Sequence, residues 1–148
     1  MLTPVFALAS LLAVGLPAPK HVVDNAVVAP AIHYTISMPD PDSHLYSVRI
    51  DVDNVTGTVL KLQMPVWSPG RYARMDFAKN VQDFTVTDGN AKALKWDREN
   101  GSLWRVYTAG SRHIVAHYRV FGDDLSGTFS VLDSLHANWN GGSVFMYV

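Results

Sequence analysis

Two histidines, His113 and His117, have the spacing of paired zinc ligands on a helix. A hydrolytic H-E-x-x-H site needs a glutamate directly after the first histidine, and this chain has Ile114 there. The only glutamate of the chain, Glu99, follows Arg98 rather than a histidine. The segment also alternates like a β-strand, and four residues of strand span about 13 Å, too far for both imidazoles to share a metal ion. We therefore predict two surface histidines and no zinc site.

Two further groups contain residue types that support acid–base or nucleophilic chemistry. Asp123 and Asp124 are adjacent carboxylates, which can raise each other's pKa, although aspartates also favour turns. Asp133, Ser134 and His136 are the residue types of a hydrolytic triad, close together in the chain. No nucleophile-elbow pattern accompanies them. We predict that the aspartate pair forms a turn and that Asp133, Ser134 and His136 are not a hydrolytic triad.

The composition excludes several classes of protein. The chain has 148 residues, with 12 Lys and Arg against 13 Asp and Glu, and it has no Cys. The absence of Cys excludes disulfides, iron–sulfur clusters, cysteine zinc sites and thiol nucleophiles. The net charge of −1 leaves no basic surplus to neutralise phosphates, so we expect no nucleic-acid binding. Hydrophobic residues make up 48% of the chain, which is enough for the core of one domain.

The N-terminus contains an apolar run from Val5 to Leu16. This run is too short for a membrane span of about 20 residues, but it has the length of the apolar region of a signal peptide. No Lys or Arg precedes Lys20 and the candidate cleavage sites are imperfect, so a buried or artefactual N-terminus is the alternative. We predict that residues 1–31 are a leader and that the protein is exported to the periplasm or the cell exterior. It is cytoplasmic if the leader is not a signal peptide.

Residues 32–148 have the patterns of an antiparallel β domain. Within His44–Asp53, apolar even positions alternate with polar odd positions from Tyr46 onward, which is typical of a half-buried strand. Asp88-Gly89 and Asn100-Gly101 are hairpin dipeptides. We predict an all-β fold, an antiparallel β-sandwich of about eight strands with at most one short helix near residues 71–81. The same alternation recurs in residues 34–38, 60–64, 84–86, 104–106 and 114–120.

Aromatic residues beside turns are the remaining candidates for a functional surface. Trp67 stands directly before Ser68-Pro69-Gly70, a sequence that suits a type II turn. Trp139 stands close to a Gly-Gly pair. An aromatic ring at a loop tip can form a recognition surface or cover the core, and the spacing leaves both possibilities open. Our candidate cleft or interface residues are Trp67, Arg71, Tyr72, His136, Trp139 and Asn140.

Six stretches of the chain follow one another in a distinctive order: Ile32–Pro41, Met64–Tyr72, Asp76–Phe84, Trp104–Val106, Tyr118–Val120 and Asn140–Val148. Together they resemble the N-terminal domain of the glycyl aminopeptidase family, whose members are zinc peptidases that also carry a PDZ domain. The resemblance covers nearly all of residues 32–148. In that family the H-E-x-x-H motif and the third zinc ligand lie in a helical domain after this one, followed by the PDZ domain, and this sequence contains neither.

The resemblance implies a non-catalytic β domain of an exported zinc aminopeptidase that prefers small N-terminal residues such as Gly. Such a domain would pack on the catalytic domain of the same polypeptide, help to shape its cleft and meet the peptide substrate only indirectly. It implies no catalytic, cofactor-binding or metal-binding residue in this chain, with zinc confined to the catalytic domain. The alternative function is an independent secreted β-sandwich that binds a ligand or a protein on its own.

The last residues of the chain distinguish these two functions. Ser143 to Val148 indicate a strand that enters a core, and no polar tail follows them. An independent module is expected to close its core and to end in a polar segment. We therefore expect a chain that is cut at the edge of a domain, or a truncated gene product.

Overall fold

The computed structural model describes residues 28–148, so most of the predicted leader lies outside the described residues. Within this range the fold is all-β, as predicted, and none of its helices is long and apolar enough to cross a membrane. The strands are β1 (Ala31–Ser37), β2 (Leu45–Asp53), β3 (Val59–Gln63), β4 (Val81–Asp88), β5 (Trp96–Asn100), β6 (Leu103–Tyr107), β7 (Ile114–Phe121), β8 (Val131–Leu132) and β9 (Ala137–Asn138). The helical segments are two 3-10 helices, Pro41–Ser43 and Phe77–Asn80, and one α-helix, α1 (Gly141–Val144).

Two antiparallel sheets enclose one core. Sheet A has the strand order β1-β2-β7-β4, sheet B has the order β3-β6-β5, and β8 and β9 form a separate hairpin. Alternate residues of β2 and β7 are buried, which confirms the period-two pattern of the sequence. The buried side chains of both sheets belong to a single hydrophobic cluster. The architecture is therefore the predicted β-sandwich.

Aromatic side chains link the two sheets at the centre of the core. Phe84 of sheet A stacks on Trp104 of sheet B, with ring centroids 5.8 Å apart, and on Tyr118 at 6.4 Å. The Trp96 ring meets Phe84 edge-on at 4.8 Å. Offset and edge-to-face pairs of this kind contribute about 0.5–1.5 kcal/mol beyond the burial of their area. These rings therefore fix how the two sheets pack.

The connections between strands gather at two ends of the sandwich, because neighbouring strands are antiparallel. One end, which we call the upper end, contains the loops 38–44, 64–80 and 101–102 and everything after β7. The opposite end contains the loops 54–58, 89–95 and 108–113. All the candidate interface residues of the sequence lie at the upper end.

The predicted helix near residues 71–81 is shorter than expected. Only Phe77–Asn80 is helical, and residues 71–76 form an irregular loop. The Met75 N–H donates to the Val66 carbonyl (2.9 Å), a backbone bond that closes the loop on itself. An α-helix over these residues would send that N–H to the carbonyl four positions earlier instead.

The predicted strand at Ser143–Val148 is wrong in its first part. Gly141–Val144 forms α1, and the Asn140 side chain accepts a hydrogen bond from the Gly142 N–H (3.0 Å), as helix N-cap residues do. The chain is extended again from Phe145, and Tyr147 pairs with Gln63 of β3. A local side-chain cap therefore overrides the strand propensity of this segment.

Candidate interface at the upper end

The Trp67–Tyr72 segment contains the predicted type II turn. The Arg71 N–H donates to the Ser68 carbonyl (3.2 Å), and Gly70 has φ +79°, the left-handed conformation that the third position of this turn requires. Trp67 is 58% exposed and Tyr72 is fully exposed. More than half of the Trp67 surface therefore faces solvent.

Trp139 lies directly after the β8–β9 hairpin, which Tyr46 fastens to sheet A. The Tyr46 hydroxyl lies 2.5 Å from the Val131 carbonyl and 3.1 Å from that of Asn138. The Trp139 ring packs edge-on against Tyr46, with centroids 5.8 Å apart, and remains 38% exposed. Trp139 therefore covers part of the core and also faces solvent.

Asn140 joins the two predicted segments. Its Nδ2 donates to Ser68 Oγ (3.0 Å) and to the Thr128 carbonyl (3.3 Å), while its Oδ1 caps α1. Ser68 is only 4% exposed, so this bond is shielded from water. The structure thus brings the Trp67–Tyr72 turn and the chain around Asn140 together. The sequence singled out Asn140 but gave no sign that Ser68, in the turn, is its partner.

His136 lies apart from this junction, in the loop that closes the β8–β9 hairpin. There Asp133 Oδ1 accepts hydrogen bonds from the N–H groups of Leu135 (2.7 Å) and His136 (2.6 Å). These two donors lower the pKa of Asp133, and the nearby His136 ring contributes less. Asp133, Ser134 and His136 therefore lie in a loop, and the Asp133 carboxylate accepts hydrogen bonds from main-chain N–H groups of that loop.

The lowered pKa of Asp133 predicts how this loop responds to acid. The bonds to the carboxylate stabilise the fold above the unfolded-state pKa of about 3.9, and they are lost as the pH falls through the lower folded-state pKa. We expect the amide NMR signals of Leu135 and His136 to titrate together below about pH 3.9. The Asp133→Asn variant should remove this common step. A step that persists in the variant would assign the titration to another group.

Two histidines with zinc-like spacing contact different residues on the outer face of sheet A. Ile114 between them is fully buried, as the strand alternation predicted. His113 Nδ1 lies 2.5 Å from Asp53 Oδ1, and His117 Nε2 lies 2.8 Å from Ser47 Oγ. Among residues 28–148, no group of three or more His, Cys, Asp or Glu side chains is arranged to hold a metal ion.

Asp123 and Asp124 lie in a turn region after β7. The Ser126 hydroxyl and N–H both lower the pKa of Asp124, with the N–H 2.8 Å from its Oδ1. Asp123 forms an isolated bridge with Val131. Asp124 thus acts as a turn former rather than as a carboxyl whose pKa is raised by its neighbour.

Charged and aromatic side chains, all of them exposed, lie close together in the sequence of the loop after β3. We call Trp67, Arg71, Tyr72 and Arg74 the aromatic–arginine patch. Neither arginine has a carboxylate within 4 Å among the described residues. An open cleft of about 520 Å³ lies beside Arg74, between this loop and the turn at 100–102. The patch therefore offers exposed rings and unpaired positive charge next to a recess.

Comparison with known proteins identifies the family of this domain. Residues 33–148 match the sequence model described as the Peptidase M61 N-terminal domain. The chain belongs to this family. The M61 N-terminal domain also resembles a crystal structure of an aminopeptidase N family protein from Idiomarina loihiensis, with a TM-score of 0.74 and 25% sequence identity. The similarity covers 80% of this chain and 20% of that chain, so the M61 N-terminal domain spans about a fifth of the length of that solved protein.

A search of curated protein sequences found no match. The family match and this structural match agree with each other, because both relate this chain to peptidases or aminopeptidase-like proteins. The resemblance of the sequence to a peptidase N-terminal domain is therefore confirmed.

Proposed function

We propose that this domain is the non-catalytic N-terminal part of an exported zinc aminopeptidase that prefers small N-terminal residues such as Gly. Its membership of the M61 N-terminal domain family and its similarity to one fifth of a longer aminopeptidase N family protein support the peptidase assignment. Export rests on the apolar run near the N-terminus, and the preference for Gly rests on the resemblance of the sequence. Zinc and the catalytic residues would lie in a separate peptidase domain.

The observation that carries an interface role is the aromatic–arginine patch. Aromatic and arginine side chains are enriched among the residues that contribute most to protein interfaces. The Ser68–Asn140 bond and the type II turn hold the backbone beside Trp67 and Arg71, so little backbone entropy is lost there when a partner binds. The last described residues lie at the same end, where Tyr147 pairs with Gln63. We infer that the patch contacts the peptidase domain near the mouth of its cleft.

The first test is the sequence of the native gene directly downstream of the codon for Val148. We expect the reading frame to continue and to encode H-E-x-x-H with a third zinc ligand, as zinc peptidases require. A native stop codon at that point would contradict the proposal and favour an independent secreted module.

The second test measures kinetics in the longer protein that carries this domain in front of its peptidase domain. Trp67→Ala is expected to lower kcat/KM for a glycyl chromogenic amide by about threefold to tenfold, which corresponds to about 0.7–1.4 kcal/mol of transition-state stabilisation. Because Trp67 is largely exposed, the stability of the β domain should change by less than about 0.5 kcal/mol. His136→Ala shows whether the interface extends to the neighbouring hairpin.

Trp96→Ala is the matched control for Trp67→Ala. Trp96 is 38% exposed, packs edge-on against the core residue Phe84 and lies outside the patch. Its truncation is expected to lower the melting temperature while kcat/KM of the folded protein stays at the wild-type value. Wild-type kcat/KM in Trp67→Ala would contradict the interface role of the patch.

A further inference from the structure

The main-chain N–H and C=O groups of β3 point alternately toward β6 and toward the outer edge of sheet B. Toward β6, the Met64 N–H donates to the Ser102 carbonyl (2.9 Å) and the Thr108 N–H donates to the Thr58 carbonyl (3.0 Å). In an antiparallel pair, such hydrogen-bonded positions recur at every second residue. The even-numbered residues of β3 therefore bond to β6, and the odd-numbered residues direct their N–H and C=O groups to the outer edge.

The outer edge of β3 is paired at one position only among residues 28–148. Gln63 exchanges two backbone hydrogen bonds with Tyr147, at 2.8 and 2.9 Å. The next two odd-numbered residues, Lys61 and Val59, have no backbone partner on this side within the described chain. Pairing along this edge is thus limited to the Gln63–Tyr147 pair, and the main-chain groups of the rest of the edge have no partner among the described residues.

The inner face of β1 lies open next to this edge. Sheet A has four strands and sheet B has three, so sheet B ends before it covers β1. Ile32 and Tyr34 are 36% and 40% exposed, although Val52 and Ile50, which pair with them on β2, are fully buried. A further strand in the plane of sheet B would bury these side chains.

The end of the described chain begins to provide that cover. The Tyr34 hydroxyl donates to the Met146 carbonyl (2.8 Å), and its ring meets Phe145 edge-on at 5.3 Å. Met146 is fully buried and Tyr147 is about half exposed, as for two neighbouring residues of a strand, while the last residue, Val148, is 41% exposed. The segment that covers Tyr34 is therefore the start of a strand on the β3 edge.

We propose that the outer edge of β3 binds a fourth strand of sheet B, an extended polypeptide segment antiparallel to β3 that continues the pairing of Tyr147. This inference rests on the proposed function, because the occupant to which we commit is the segment that follows residue 148 in a longer protein. Addition of a strand to an open sheet edge takes its affinity from main-chain bonds and its specificity from alternate side chains.

The register of Tyr147 with Gln63 fixes the chemistry of the occupant. The first residue after Val148 pairs with Lys61 and points outward, where an acidic side chain suits the ammonium group that already lies 4.0 Å from Glu99. The second residue points inward toward the open face of β1 and should be apolar. The third pairs with Val59 and completes the ladder.

The test compares three forms of the full chain: unextended, extended after Val148 by Glu-Val-Thr-Val, and extended by Val-Glu-Val-Thr. The two extensions have the same composition, but only the first directs its valines inward. Amide hydrogen exchange of Lys61 and Val59, measured by NMR, reports pairing at the edge directly. We expect the first extension to slow both amides by at least about tenfold and the second by less than about twofold.

Lys61→Pro in the first extended chain is a second variant. Its missing N–H faces the outer edge, so the β3–β6 ladder keeps all its bonds, and proline is tolerated at such edge positions. We expect the variant to remain folded and to lose the slow exchange of Val59. Lys61→Ala, which keeps the main-chain N–H, should retain the slow exchange.

Three results would overturn the proposal. The first is equal protection by the two extensions, which would remove the dependence on register. The second is slow exchange of Lys61 and Val59 in the unextended monomer, which would mean that another part of this chain covers the edge. The third is protection confined to concentrations at which chromatography shows a dimer, which would make a second copy the occupant. None of them affects the downstream gene sequence or the kinetics of Trp67→Ala, so the two proposals fail separately.

Discussion

Tyr118→Phe is expected to destabilise this domain by about 3 kcal/mol, although it removes a single oxygen atom. The Tyr118 hydroxyl is buried, donates to the Val144 carbonyl (2.9 Å) and accepts from the Met146 N–H (3.0 Å). Burial raises the pKa of Tyr118, so the hydroxyl stays protonated and able to donate. Phenylalanine would leave two buried main-chain groups without partners, at about 1–3 kcal/mol each.

Chemical denaturation of the full chain measures this loss, and Tyr107→Phe is its matched control. Tyr107 also lies on a strand and donates to a single group, Asp97 Oδ2 (2.8 Å), at a partly exposed site. Asp97 keeps its bond to Arg105 (2.7 Å) when the hydroxyl is removed, so the control should lose less than about 1 kcal/mol. Equal losses in the two variants would show that Tyr118 does not hold the C-terminal segment to the core.

The strands of the sandwich were predictable because their signal is local. In β2 and β7 each side chain faces either the core or solvent, so the two-residue period of burial is visible in the sequence itself. The helical segments were not, because they depend on particular side-chain and backbone hydrogen bonds that the alternation of apolar residues does not reveal. Gly141–Val144 has a strand-like sequence but follows the Asn140 cap, and residues 71–76 are closed by the bond from Met75 to Val66.

The sequence predicted the type II turn of the candidate interface, but it did not predict which segments the fold brings together there. Ser68-Pro69-Gly70 specifies a type II turn by residue type alone, and the structure contains it. Whether Trp67 faces solvent depends on how the loop lies against the sandwich, and the spacing could not decide this. Asn140 and Ser68 are 72 positions apart, so no local pattern connects them. Their contact exists only because the fold brings the loop after β3 to the chain before α1.

Asn140→Ala is expected to destabilise the domain by about 2 kcal/mol. Loss of the N-cap of α1 costs about 1 kcal/mol, and the buried Ser68 hydroxyl and the Thr128 carbonyl lose a donor as well. Asn138→Ala is the matched control, because its side chain is exposed and makes no hydrogen bond with any described residue. The control should stay within about 0.5 kcal/mol of the wild type.

A double-mutant cycle with Ser68→Ala isolates the bond that joins the two segments. Because each single variant breaks the Ser68–Asn140 bond, the double variant should lose about 0.5–1 kcal/mol less than the sum of the two single losses. The contributions of the α1 cap and of the Asn140–Thr128 bond to the free energy of unfolding cancel in the cycle, because Ser68→Ala leaves both interactions intact. Strict additivity would mean that the turn and the chain around Asn140 are not coupled. The turn would then have to be held by its own backbone bonds, from Arg71 to Ser68 and from Met75 to Val66.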